Sequence, residues 1–179
     1  MATDTLKIGS HAPNFNLTAT DGRNYSLNSF ADKKALIVIF SCNHCPYVQA
    51  YEERIMEIQK DYEKDIQVIA INSNEEINYP EDSFDMMKKR AALRGFNFPY
   101  LRDDTQSIAK EYGATHTPEI FLFDFERKLV FHGKIDDNWQ EPKKVKSKYL
   151  RNALDELLNG KQISVPETFT IGCTIKWKR

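Results

Sequence analysis

The sequence predicts an α/β fold with a central mixed β-sheet flanked by helices, and three observations carry this prediction. The run Ala35 to Phe40 is apolar at every position and rich in β-branched residues, as is typical of a strand buried on both faces. Residues at helical spacing follow it, and a second apolar run, Ile66 to Ile71, completes a strand–helix–strand unit with parallel strands. Further along, Ile120–Phe123 and Leu129–Phe131 flank a short connection, which predicts an antiparallel hairpin.

The remaining elements follow from turn residues and spacing. An N-terminal β-hairpin is predicted around the pair Asp21-Gly22, where two short alternating segments meet. The first helix begins near Pro46 and buries a stripe with steps of three and four residues: Val48, Tyr51, Ile55, Ile58 and Tyr62. Further helices are predicted from near Pro80 to Gly95, over 105–112, and from just after Pro142 to Gly160, the last burying Val145, Tyr149, Ala153, Leu154 and Leu157.

The C-terminal residues do not have the composition of a frayed tail. Ile171, Cys173, Ile175 and Trp177 alternate with small or polar residues, which predicts a half-buried extended segment. We therefore predict one domain over residues 1–160, with residues 161–179 as an extended segment packed on that domain.

Composition excludes several classes of protein. The 179 residues carry 25 basic and 26 acidic side chains, and this net charge of −1 does not favour binding to nucleic acid. The apolar run that ends at Phe40 is far shorter than the roughly 20 residues of a membrane span. The first residues lack the basic and apolar regions of a signal peptide, so we predict a cytoplasmic location.

The motif Cys42-Asn43-His44-Cys45-Pro46 carries the chemistry, because it follows a buried strand and opens a helix. At that junction, unpaired N–H groups and the positive end of the helix dipole favour an anion, here the Cys42 thiolate. A protonated His44 adds a second cationic influence. Cys45 lies one helical turn further on and is within reach of a disulfide with Cys42.

Alternative interpretations of the cysteines are weaker. A structural zinc site needs four ligands, and neither Cys173 nor the remaining histidines stand at a recognisable ligand spacing. A copper site that uses the cysteine pair and a distant histidine, or two inert buried cysteines, would also fit the spacing. We predict redox chemistry and no metal.

The sequence resembles the thioredoxin superfamily, on the branch shared by TlpA-like reductases and AhpC/TSA redoxins. The features that carry the resemblance are Ile8-Gly9 to Phe15 with its hairpin, Phe40 to Pro46, Tyr112-Gly113, and Thr117-Pro118 before a strand. They extend over about residues 6–158. The chain is also similar to a group of thioredoxin-family proteins that end in Gly-Cys-x-Ile-Lys-Trp, here Gly172 to Trp177.

This resemblance implies a thioredoxin-like fold and a thiol-disulfide oxidoreductase in which Cys42 attacks and Cys45 resolves. It implies a protein or small-molecule disulfide as substrate, a thiol electron donor as partner, and no cofactor beyond the Cys42–Cys45 disulfide. Thr117-Pro118 matches the cis-proline loop that faces this disulfide in the superfamily. Two other functions stay open, a peroxiredoxin-like peroxide reductase and a non-catalytic module that binds metal or senses redox state.

The chain departs from the superfamily pattern around the motif. Leu36 stands where thioredoxin has a buried Asp that assists proton transfer, so the proton route is unassigned. Ser41 replaces the usual Trp. A typical peroxiredoxin signature is also incomplete, because Ile39 occupies its Thr position.

Two further residues are accessory candidates. His116 stands two positions before Pro118, where it could face the disulfide or simply belong to a surface loop. For Cys173 the simplest role is a small buried packing residue. The alternative is a third thiol that folds back near the motif and shuttles a disulfide or caps Cys42.

We predict that the Cys42/Cys45 pair is more oxidising than thioredoxin, whose potential is about −270 mV. A histidine before the second cysteine also occurs in protein disulfide isomerase motifs, and its positive charge stabilises the thiolate and hence the reduced form. The change His44→Pro should make the pair more reducing and raise the pKa of Cys42. Equilibration with glutathione buffers measures the potential, and an unchanged value would remove His44 from the mechanism.

Overall fold

A computed structural model describes residues 4–179 of the chain. Its strands are β1 (Asn16–Thr18), β2 (Asn24–Ser26), β3 (Ala35–Ser41), β4 (Ile66–Asn72), β5 (Tyr100–Arg102), β6 (His116–Thr117), β7 (Glu119–Phe123), β8 (Leu129–Gly133) and β9 (Cys173–Thr174). Its helices are α1 (Pro46–Asp61), α2 (Phe84–Arg94), α3 (Ser107–Tyr112) and α4 (Tyr149–Leu158). Across these described residues, no helix has the length and apolarity needed to cross a membrane.

The central sheet is mixed, as predicted. Within residues 4–179 it has five strands in the order β5-β4-β3-β7-β8. Strand β3 pairs in parallel with β4 and antiparallel with β7, and all of its residues are buried. Alternate β3 side chains enter two separate cores: Ile37 and Ile39 pack with α1 and α4, whereas Val38 and Phe40 pack with α3 and β7. The sheet therefore fixes the residue after β3, which is Cys42, between two packed layers.

Most predicted elements are confirmed. The N-terminal hairpin forms between β1 and β2, α1 begins at Pro46, α2 stops at Gly95, and β7 pairs with β8. The prediction for the last helix is wrong at its start, because α4 begins at Tyr149 and Val145 lies outside it in an extended conformation. Lys144 and Lys148 would face each other at i,i+4 in the longer helix, and such like-charge pairs are destabilising.

The C-terminal segment is extended, but the predicted alternation of burial is only partly observed. Strand β9 pairs antiparallel with β6, so that Cys173 lies opposite Thr117. Ile175 is 3% exposed, whereas Ile171 and Trp177 remain 45% and 40% exposed. The pairing strand β6 is only two residues long and offers no wider sheet face for the outer side chains to cover.

The aromatic cluster beneath β3 supplies a test of the packing. Phe121 is fully buried and makes edge-to-face contacts with Phe40 and Tyr112. We expect Phe121→Ala to lower the free energy of unfolding by about 3–5 kcal/mol, because truncation leaves a cavity between packed layers. Phe125→Ala is the matched control, since Phe125 is 67% exposed and its loss should change stability by less than about 0.5 kcal/mol. Urea unfolding of both variants gives the comparison, and equal effects would contradict this packing.

Candidate active site

The motif lies where β3 ends and α1 begins, with Cys45 as the residue that caps the helix. Cys42 stands immediately after β3 and therefore further from the helix N-terminus than the sequence suggested. The N–H groups of the first turn of α1 lie nearest to Cys45, and the influence of the Val48 N–H lowers the pKa of this cysteine. The dipole argument made for Cys42 thus applies to Cys45 instead.

Both sulfurs of the motif face the Thr117–Pro118 peptide bond, which is cis. The Cys42 Sγ lies 3.4 Å from the Thr117 hydroxyl, and the Cys45 Sγ lies 3.3 Å from the Thr117 carbonyl oxygen. Cys42 is 2% exposed and Cys45 is fully buried, and both are free thiols. The structure therefore places four of the predicted site residues together in a reduced and closed arrangement.

The surroundings separate the pKa values of the two thiols. The Cys42 thiol donates a hydrogen bond to the Cys45 sulfur, and the Cys173 thiol and backbone N–H donate to it as well. Together with the Val48 N–H, these donors lower the pKa of Cys45 to about 4. The same hydrogen bond to Cys45, together with burial and the nearby Asp82 carboxylate, raises the pKa of Cys42 well above its ordinary value.

His44 pairs through its Nδ1 atom with the carboxylate of Asp82, and its ring stacks on Tyr79 with centroids 5.6 Å apart. Asp82 is fully buried. A buried carboxylate needs hydrogen-bond donors. Asp82 also accepts hydrogen bonds from the Asn43 backbone N–H at 2.7 Å and from the Asn74 side-chain amide at 3.0 Å. The negative charge of Asp82 opposes the influence predicted for a protonated His44 at the Cys42 sulfur.

Asn43 anchors the loop rather than facing the substrate side. Its backbone N–H donates to Asp82, its side-chain amide donates to the Glu81 carbonyl at 2.8 Å, and its Oδ1 accepts from the Tyr100 hydroxyl at 2.8 Å. Pro46 is the first residue of α1, so its missing N–H costs the helix nothing. These contacts hold the backbone between the two cysteines in one conformation.

Sequence reasoning missed Asp82, which stands 40 residues after Cys42 and outside any motif. The available signal was the polar run Asn72-Ser73-Asn74 that closes β4. Because β3 and β4 are parallel, their carboxyl ends meet at one edge of the sheet, so polar residues there lie close to the motif. Asn72 and Asn74 both donate side-chain hydrogen bonds to Asp82.

The two accessory candidates have different positions. Cys173 packs on the cluster formed by Cys42, Cys45 and Val48, next to the Cys45 sulfur. His116 does not reach the cysteines. Its Nδ1 atom lies 2.7 Å from the Thr115 hydroxyl, and alternation along β6 directs it away from the face that Thr117 presents to Cys42. Of the two, the structure brings only Cys173 to the motif.

The arrangement also gathers three groups that bind metals. The Cys42 sulfur, the His44 ring nitrogen and an Asp82 oxygen all lie within 4.8 Å of one another. The sequence predicted no metal, because the spacing along the chain contains no second ligand pair. The contact between residues 44 and 82 arises only from the fold.

Known proteins resemble this chain in sequence. A sequence model of the family described as Redoxin matches residues 7–149. Thiol-disulfide oxidoreductase ResA of Bacillus thuringiensis strain Al Hakam is 27% identical over 130 residues, which cover 71% of this chain and 69% of that protein. The residues matched by the family model include the whole Cys42–Pro46 motif and the Thr117–Pro118 loop.

Solved structures extend the likeness to the fold. An uncharacterized conserved protein from Geobacillus kaustophilus has a TM-score of 0.91 and 39% identity, covering 99% of this chain and 96% of that one. The thioredoxin domain of a thiol-disulfide oxidoreductase from Bacteroides vulgatus has a TM-score of 0.62 at 20% identity, covering 72% of this chain and 89% of that domain. The predicted thioredoxin-like fold is confirmed.

Asp82 supplies a test of the thiol electrostatics. We expect Asp82→Asn to lower the pKa of Cys42, because the change removes a buried negative charge beside its sulfur. The rate at which iodoacetamide alkylates Cys42, followed by peptide mass spectrometry, should then rise at lower pH than in the unmodified protein. Asp104→Asn is the control. The Asp104 side chain is 64% exposed, so this substitution removes the same negative charge at the surface. If Asp82→Asn is folded by circular dichroism and the pH dependence of Cys42 alkylation is unchanged, Asp82 does not raise the pKa of Cys42 and this prediction is wrong.

Proposed function

Because the chain belongs to the Redoxin family, we propose that it is a thiol-disulfide oxidoreductase whose redox-active pair is Cys42 and Cys45. One observation carries the proposal: both sulfurs lie against Thr117, beside the cis Pro118, in one buried cluster. The name of the ResA relative supports the same class of reaction. The substrate is a disulfide of a protein or a small molecule, and the electron donor is a thiol.

In the proposed reaction, Cys42 attacks one sulfur of the substrate disulfide. Its proton passes to the His44–Asp82 pair and from there to the sulfur that leaves, so that a Cys42–substrate mixed disulfide remains. The Cys45 thiolate then attacks the Cys42 sulfur, the mixed disulfide breaks, and the second substrate sulfur departs with the electron pair. The products are a reduced substrate and a Cys42–Cys45 disulfide, which an external thiol reduces again.

The two motif cysteines are suited to different steps. A low pKa keeps Cys45 as a thiolate at neutral pH, so the resolving nucleophile needs no further base. The raised pKa of Cys42 means that its attack requires a proton acceptor, and the buried Asp82 with His44 is placed to serve. This pair gives Cys42 a proton route, whereas the buried Asp that Leu36 replaces assists the second cysteine in thioredoxin.

A second candidate function rests on the cluster of Cys42, His44 and Asp82, whose ligand atoms suit zinc or copper. Such a module would bind metal without turnover. Purification without chelator followed by elemental analysis separates the two functions. Stoichiometric zinc or copper that disappears in Asp82→Asn would favour the metal site.

We expect the protein to reduce insulin disulfides in the presence of dithiothreitol. Cys42→Ser should reduce the rate to the uncatalysed background, because no nucleophile remains to open the substrate. Cys45→Ser should instead accumulate a mixed disulfide on Cys42, which mass spectrometry detects after acid quenching. Equal rates for the unmodified protein and Cys42→Ser would refute the proposal. Faster turnover with hydrogen peroxide than with insulin would move the function to a peroxide reductase that passes through a Cys42 sulfenic acid.

A further inference from the structure

The chain closes its own active site with its C-terminal segment. An extended substrate binds such a site by adding a strand beside the cis-proline loop. Here β9 occupies that edge, antiparallel to β6 and with Cys173 opposite Thr117. With β9 in place, Cys42 is 2% exposed and Cys45 is fully buried, whereas Cys173 is partly exposed. Cys173 is therefore the thiol of the cluster that solvent reaches most readily.

The approach of β9 to the cis-proline loop is unusually close at Gly172. A Cβ atom added there would overlap the Thr117 carbonyl oxygen and lie 2.7 Å from the Thr117 carbonyl carbon. Glycine is thus required for the segment to pass the loop and for Cys173 to reach Cys45. Cys173 packs on the cluster formed by Cys42, Cys45 and Val48, and it lies near enough to the Cys45 sulfur for each thiol to shift the pKa of the other.

The residues after Cys173 are fixed to the domain. The Ile175 N–H donates to the Thr115 carbonyl at 2.9 Å, and the Ile175 side chain is buried in the core. The Lys176 carbonyl accepts from the Glu75 N–H and the Gln106 side chain, and the Lys176 N–H donates to Asn74, each at 2.9 Å. Cys173 is consequently held beside Cys45 in the resting protein and does not depend on a chance encounter.

We propose that Cys173 is a third redox thiol, which takes over the disulfide formed in the proposed function and produces a Cys45–Cys173 disulfide. The Cys173 thiolate attacks the Cys45 sulfur of the Cys42–Cys45 disulfide. The Cys42–Cys45 bond breaks, a Cys45–Cys173 bond forms, and Cys42 leaves with the electron pair and takes up the proton that Cys173 lost. One thiol and one disulfide are present before and after the step, so no external oxidant is needed.

The site is suited to this exchange. In the reduced protein, burial and the hydrogen bond to Cys45 raise the pKa of Cys173 to about 11. Disulfide formation at Cys45 removes this interaction, which favours ionisation of Cys173, and the positive charge of Lys176 acts in the same direction. The transfer moves the disulfide from two buried sulfurs to a pair that includes the more exposed one. A thiol donor can then attack Cys173 and displace Cys45.

The test is disulfide mapping of the full-length chain. Protein oxidised with one equivalent of diamide is quenched with acid, alkylated with N-ethylmaleimide and digested. We expect the unmodified protein to contain both disulfides, Cys42–Cys45 and Cys45–Cys173. Cys42→Ser should contain Cys45–Cys173 alone, and Cys173→Ser should contain Cys42–Cys45 alone.

Two tail variants test the geometry. Gly172→Ala keeps all three thiols but displaces β9, so the share of Cys45–Cys173 should fall by about tenfold while Cys42–Cys45 persists. Thr174→Ala is its control, because the exposed Thr174 side chain can be shortened without disturbing the approach at Gly172, and its disulfide pattern should match that of the unmodified protein.

The outcomes separate this inference from the function on which it rests. If Cys173 is fully alkylated in the oxidised native protein and Cys42→Ser forms no disulfide, the third-thiol proposal is wrong although Cys42–Cys45 still forms. If Cys173→Ser forms no Cys42–Cys45 disulfide and reduces no insulin, the proposed function itself fails.

Discussion

The burial of one carboxylate, that of Asp82, organises the whole site. A carboxylate without solvent must be surrounded by donors, and here the donors come from the loop after β3 and from the end of β4. One of them, Asn74, also binds the backbone of the C-terminal segment at Lys176. The conformation of the cysteine loop, the carboxyl edge of the sheet and the position of the tail are therefore coupled through one buried charge.

The contact of three sulfurs follows from this coupling and from the helix N-terminus. Cys45 caps α1, where N–H donors are available, and it shares a cluster with Cys42 on which Cys173 packs. Donors that converge on Cys45 lower its pKa, while the pKa values of Cys42 and Cys173 are raised by the interaction with Cys45 and by burial. In a motif with two cysteines, each cysteine has one other cysteine as its neighbour. Here Cys45 has two such neighbours, Cys42 and Cys173.

Local sequence patterns predicted much of the fold, because the spacing of apolar residues along a short segment determines whether it forms a strand or a helix. The apolar run of β3 and the helical stripe of α1 need no knowledge of distant residues. Strand β5 was missed because three residues are too few to establish a period, and only its pairing with β4 makes it a strand. Within the site, the motif and the cis-proline loop were readable from the sequence. Asp82 was not, because only contacts across the fold bring it to the motif. The position of Cys173 beside the motif was available from the sequence only as the alternative to a simple packing role.

Because β9 belongs to the same chain, it raises the affinity that an extended substrate needs in order to bind at the cis-proline edge. A tethered strand presents itself to the cis-proline edge at an effective concentration on the order of millimolar or higher, however dilute the protein. A free peptide at micromolar concentration must therefore bind the open edge far more tightly than the tail does in order to replace it. Discrimination in this protein then depends on competition between strands as well as on the reactivity of sulfur, and only partners that offer more than backbone pairing would gain entry.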